Sequence, residues 1–159
     1  MDARFINPFL TGTMKVLKTM SSVEPKPGEP YLKKDSVASG DVSGIMGLTG
    51  SIVGSMALSF SEGAILKIVS NMLGEEITEV NGDITDAVGE ITNMVSGVSR
   101  KELEAIGLTI SAAIPTVIAG KSHSIKHVLG GPSLIIPFET EDGPFVVDVC
   151  ISDPKQQKQ

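Results

Sequence analysis

Gly82-Asp-Ile-Thr-Asp86-Ala-Val-Gly-Glu90-Ile-Thr-Asn93-Met-Val-Ser-Gly97 opens a stretch that runs on to Glu104 and organises the 159-residue chain around it. At about 100° per residue, Asp86, Glu90, Asn93 and Gly97 stack on one face of a helix. Ile84, Ala87, Val88, Ile91, Met94, Val95 and Val98 fall on the opposite side, so the spacing predicts an amphipathic helix with an apolar stripe for a core. Its outer face is unusual: two acids, a carboxamide and a bare glycine stand in line where Lys, Glu and Gln are the common residues. Glycine inside a helix costs about 1 kcal/mol relative to alanine. Gly89 and Gly97 therefore point to close approach by another surface, with tight packing inside the fold as the structural alternative.

Length and charge narrow what such a helix could serve. The chain is long enough for one domain with its own core, without disulfides or a structural metal. Residues 1–152 read as that domain and residues 153–159 as a flexible tail. A net charge of −6 and no basic cluster beyond Lys33-Lys34 argue against phosphate-backbone binding, hence against nucleic acid. One Tyr, no Trp and five Phe leave few stacking platforms, which argues the same way. The longest apolar-looking run, Ile45 to Phe60, is broken by Gly47, Gly50 and Gly54 and is shorter than the roughly 20 residues a bilayer requires. With Cys150 alone and no leader pattern, a cytoplasmic setting is expected.

The flanking segments fix the fold class. Phe9, Leu10, Met14, Leu17 and Met20 have helical spacing, with Asn7 and Pro8 suited to the N-cap and first helical position. The run Glu24-Pro25-Lys26-Pro27-Gly28-Glu29-Pro30 cannot continue that helix and reads as a connector. Asp41 to Leu48 and Ser51 to Phe60 read as a hairpin joined near Thr49-Gly50. Ser61 or Ser59 can cap a helix through Leu73, with Gly74 at its C-terminal end. After the central helix, Leu108 to Ile114 alternates as a strand that Pro115 ends. A polar loop through Lys126 and a Gly130-Gly131-Pro132 turn follow. Ser133 to Phe138 and Phe145 to Ile151 form a second hairpin around Glu141 to Pro144. Hairpins and grouped helices predict an α+β domain with a largely antiparallel sheet covered by helices.

Candidate chemistry concentrates on the central helix. A carboxamide both donates and accepts, so Asn93 can orient a water without changing protonation state. Glu90, one turn earlier, can hold a cationic group. No histidine accompanies them, and without a base on this face the site is ill equipped to be a complete hydrolase; it could complete a site supplied by another molecule. The bland alternative is a solvated helix face. Gly120-Lys121-Ser122 superficially matches the end of a phosphate loop, but Pro115 stands where the first glycine is needed and no strong helix follows, so a strand-end turn fits better. His123 and His127 have an i, i+4 metal-ligand spacing that would require a helix where glycines and Pro132 intervene, so no metal is assigned. Cys150 reads as a small buried residue, and the methionines as core.

The residues that define these features also resemble a known family. The opening Phe5-Ile-Asn-Pro-Phe9, the Glu24-Pro-Lys-Pro-Gly28 connector, Asp41-Val-Ser-Gly-Ile-Met-Gly-Leu-Thr-Gly50 and Asp86-Ala-Val-Gly-Glu90-Ile-Thr-Asn93-Met-Val-Ser-Gly97 are similar to the CheX branch of the CheC/CheX/FliY chemotaxis phosphatases. The family motif is Asp or Ser, three residues, Glu, two residues, Asn, then a proline some twenty residues on; Pro115 stands close to that place. The motif occurs once here, as in CheX. The resemblance implies dephosphorylation of the phosphoaspartate on a CheY-like response regulator. Asn93 would position water for in-line attack, and Glu90 would contact the regulator's lysine. Asp86 and Gly97 would belong to the docking face, Asp86 with the less defined role. Mg²⁺ would belong to the regulator, with no cofactor on this chain, and the family implies a homodimer. The competing expectation is a scaffold that docks a receiver domain without turnover; a self-contained small-molecule hydrolase is disfavoured by the missing base.

Overall fold

The computed structural model describes residues 3–33, 37–127 and 132–152. The expected turn at Gly130-Gly131 and the tail at 153–159 lie outside them. The elements are α1 (Ala3–Ser21), β1 (Lys26–Pro27), β2 (Tyr31–Lys33), β3 (Val37–Gly50), β4 (Val53–Phe60), α2 (Glu62–Leu73), α3 (Gly82–Ala105), β5 (Ile110–Ala112), β6 (Thr116–Lys126), β7 (Ser133–Thr140) and β8 (Gly143–Ser152). The strands form one antiparallel sheet in the order β1-β7-β8-β4-β3-β5, with β2 on β7 beside β1 and β6 on β3 beside β5. The α+β class and both expected hairpins, β3–β4 and β7–β8, are present.

Strand register sorts the side chains into two faces, because successive residues of a strand point to opposite sides. Met46, Met56, Val149 and Leu134 form one cross-strand row, and Gly44, Leu58, Val147 and Ile136 the next. In the third row Phe145 stacks on Phe138 at 4.8 Å between ring centroids and meets Phe60 at 5.0 Å. These rows meet Ile65, Ile68 and Val69 of α2 and Val88, Ile91 and Val95 of α3 in the main core. The opposite face carries Ile45, Ala57, Asp148 and Ile135 in one row and Gly47, Ser55 and Cys150 in another. Beyond a register shift between Gly40 and Val42, the β3–β6 ribbon places Ile125 against Ala57 and Ile45 in a small second core.

Five expectations are corrected. The polar loop through Lys126 is the eleven-residue strand β6. It is an edge strand exposed along most of its length, so it shows none of the apolar alternation by which a half-buried strand is recognised. Gly120-Lys121-Ser122 consequently lies within a strand and not at its end, with Ser122 at φ 53° opposite the shift in β3. The opening helix starts at Ala3 and carries Pro8 inside it. Proline removes one N–H from the helical ladder, but Phe5 and Ile6 pack against the core ahead of it and hold the earlier turn in place. The proline-rich connector contributes β1 and leads into β2, both on β7, at a sheet edge where a missing donor does not interrupt an interior ladder. In addition, the strand expected over Leu108 to Ile114 is confined to Ile110–Ala112.

The start of α2 is capped from outside. Ser61 stands at the N-cap as expected, but its hydroxyl donates to the Pro144 carbonyl at 2.6 Å. Asp41 of β3 instead accepts from the Glu62 N–H at 2.9 Å and, with its other oxygen, from the Ser122 N–H at 2.9 Å. The Ser122 bond, then the Glu62 bond, hold the Asp41 carboxyl below its ordinary value of 3.8; His123 and Lys121 add to this and burial opposes it. A depressed carboxyl pKa contributes stability above the ordinary value and loses it as pH falls through the folded value. Asp41→Ala is therefore expected to cost about 1 kcal/mol at neutral pH, the usual magnitude for a lost cap. The gap in unfolding free energy from wild type should narrow as pH drops below 3.8. A gap that persists unchanged into acid would show that the carboxylate charge contributes nothing.

Candidate functional site

The site helix is held at both ends and along its inner face. Asn81 caps it, its side chain accepting from the Ile84 N–H at 3.1 Å. Thr92, Ser96 and Ser99 are buried among the apolar residues. Thr92 Oγ1 donates to the Val88 carbonyl at 2.7 Å, and Ser99 Oγ to the Val95 carbonyl at 2.8 Å. Small hydroxyl side chains let neighbouring backbones come close. A side chain on Gly44 of β3 would collide with Thr92 Oγ1 and stand 3.1 Å from Thr92 Cβ; one on Gly12 of α1 would lie 2.8 Å from Ser99 Oγ. The sheet and α1 thus fix how α3 is rotated about its axis. That rotation leaves Asp86, Glu90 and Asn93 exposed and Gly97 half-buried on the outer side.

At 1.5 Å rise per residue, Asp86 and Glu90 are about 6 Å apart along the axis and Glu90 and Asn93 about 4.5 Å. The Asp86, Glu90 and Asn93 side chains make no hydrogen bond or ion pair among the described residues. The two glycines differ. A side chain on Gly89 would meet Val117 of β6 in ordinary contact at 3.5 Å, so local packing accounts for that position. Gly97 faces open space, with nothing within 4 Å of an added Cβ. Pro115 sits in the link between β5 and β6, half-buried, with Ile114 beside it 91% exposed.

Such a face can orient a water through the Asn93 carboxamide and meet a cation through Glu90, but it holds no histidine. Both histidines are engaged elsewhere. His123 Nδ1 lies 2.8 Å from the Gly120 carbonyl and its Nε2 2.7 Å from Ser43 Oγ. His127 contacts Ser55 and Asp148, an arrangement the sequence reading missed because its members come from β4, β8 and the residue just past β6. No group of three or more metal-ligating side chains occurs among the described residues. Lys121 forms an exposed ion pair with Glu62 at 3.7 Å, with no phosphate-loop geometry around it. Cys150 is buried as expected, and burial, then nearby Asp148, push its thiol above the ordinary value.

The family model described as chemotaxis phosphatase CheX matches residues 42–139, a span that contains the whole of α3. The chain belongs to the CheX family. A curated relative, the CheY-P phosphatase CheX of Thermotoga maritima, is 32% identical over 127 residues, covering 79% of this chain and 82% of the relative. The crystal structure of chemotaxis protein CheX from Vibrio vulnificus superposes with a TM-score of 0.88 at 46% identity, over 93% of this chain and 99% of that one. A CheX solved in complex with CheY, BeF3 and Mg²⁺, from Borrelia burgdorferi, superposes with a TM-score of 0.75 at 28% identity, over 94% and 98% of the two chains. No helix among the described residues is long and apolar enough to cross a membrane.

Proposed function

We propose that this chain dephosphorylates the phosphoaspartate of a CheY-like response regulator, with α3 supplying half of a centre that the regulator completes. The observation that carries this reading is the exposed Glu90 and Asn93 pair, one turn apart and unengaged among the described residues. Water held by the Asn93 carboxamide attacks phosphorus in line. The new P–O bond forms as the bond to the aspartyl oxygen breaks, regenerating the carboxylate and releasing phosphate. Phosphoryl transfer depends chiefly on positioning and on stabilising charge, and two proteins can share both. Glu90 meets the regulator's active-site lysine, while Asp86 and the open surface at Gly97 belong to the docking face. Mg²⁺ is the regulator's, in keeping with the composition of the Borrelia complex. The setting is cytoplasmic, and two copies pair through an exposed strand edge, for which β6 has the exposure.

The test is the decay of a phosphorylated CheY-like receiver with Mg²⁺, alone and with substoichiometric protein. Decay that speeds up through many turnovers per molecule is the expected result. Binding without any change in phosphate lifetime would replace the enzyme with a docking protein, and no binding would remove the regulator as partner.

A further inference from the structure

The face of the sheet away from the helices carries a second chemical arrangement. Register puts Ser55 of β4 and Asp148 of β8 on that face, since Asp148 pairs with Ala57 and Ser55 pairs with Cys150. His127, just past the end of β6, bridges them: Nε2 lies 2.8 Å from Asp148 Oδ1, and Nδ1 lies 2.5 Å from Ser55 Oγ. The His127 and Asp148 side chains are both 0% exposed. Asp148 Oδ2 is buried with no partner among the described residues, so the His127 bond is the carboxyl group's hydrogen bond there. With Asp148 as the acceptor of an Nε2–H, the Nδ1 lone pair faces the Ser55 hydroxyl. Ser55 differs from its two partners in being only half-buried, and with His127 it lines a cavity of about 840 Å³ walled by Ile45, Val53 and Ile125 and edged by Thr116. The neighbouring pair of Ser43 and His123 lacks both features: Ser43 is fully buried, and its other partner is Ser59 at 2.9 Å.

We propose that Ser55 is an activated nucleophile, with His127 as its base and Asp148 as the positioning carboxylate, in a second site that accepts small esters with an apolar acyl group. The serine oxygen bonds to the carbonyl carbon as its proton passes to His127 Nδ1. Collapse of the adduct breaks the bond to the alcohol oxygen, and the alcohol leaves with that proton. Water, deprotonated by the same nitrogen, then releases the acid. Because the Ser55 backbone lies within the ladders to β3 and β8, its N–H is not free to stabilise an oxyanion, so acylation without rapid turnover is the expected signature.

An alkyl fluorophosphonate tests this on the full chain: the Ser55 Oγ–P bond forms, the P–F bond breaks and fluoride leaves. Mass mapping should find one adduct, at Ser55, absent from Ser55→Ala. His127→Ala should label on the order of 100-fold more slowly, and added imidazole should restore part of the rate, which a merely structural histidine would not allow. Labelling should be unaffected by Asn93→Ala, separating this site from α3. Folded wild-type protein that gives no Ser55 adduct in excess probe would overturn the proposal, whatever the stability of the variants. So would labelling that is insensitive to His127→Ala, or labelling that disappears with Asn93→Ala.

Discussion

Asn93→Ala is expected to erase the acceleration of receiver dephosphorylation, by on the order of 100-fold or more, while leaving the protein folded and most of its receiver affinity intact. The magnitude is that of losing one group that positions a reactant. The stability expectation is equally specific. Asn93 is exposed and bonded to nothing among the described residues, so its truncation should move unfolding by no more than about 0.5 kcal/mol, with alanine's better helix propensity acting in its favour. Glu90→Ala should differ in kind. It removes the group proposed to meet the regulator's lysine, so half-saturation should rise along with the loss in rate. Single-turnover decay over a range of protein concentrations separates the two effects. An Asn93→Ala protein that dephosphorylated normally would show that the carboxamide does not hold the attacking water.

The second large effect lies beneath the helix. Gly44→Ala is expected to destabilise the fold by about 1–3 kcal/mol, the usual range for overpacking, although alanine at an ordinary strand position is close to neutral. The new methyl would meet Thr92 Oγ1, which is itself held at 2.7 Å from the Val88 carbonyl, and it would stand 3.3 Å from Val88 Cγ1. Gly44→Val should cost more. Shortening Thr92 to alanine in the Gly44→Ala background should recover part of the loss, since residues in contact do not behave additively. Urea titrations of the single and double variants measure the coupling. A neutral Gly44→Ala would mean that α3 is not seated on β3 at this point.

What could be read in advance follows from where the information lies along the chain. The central helix was legible because its apolar stripe recurs at helical spacing from Ile84 to Val98, opposite a polar row of Asp86, Glu90 and Asn93. The β3–β4 and β7–β8 hairpins were legible because apolar runs of strand length flank the turn residues at Thr49-Gly50 and Glu141 to Pro144. β6 was not, since an exposed edge strand alternates between nothing and nothing. Pro8 drew the start of α1 too far along the chain, because the anchoring of Phe5 and Ile6 is tertiary. The histidines were weighed as a helical pair, whereas a strand sets them on separate serines, His123 on Ser43 and His127 on Ser55.

The α3 face has one more consequence. The groups proposed to react lie within eight residues of continuous chain, so their mutual spacing is set by the helical pitch and owes nothing to loops or to the assembly of distant strands. Changes elsewhere in the molecule can tilt or lower the whole row, as Gly44 would, but cannot pull Asn93 away from Glu90. Such a unit is portable: any scaffold that presents an equivalent exposed helix inherits the internal geometry intact. What the host must then supply is only the surrounding surface that chooses which regulator is admitted.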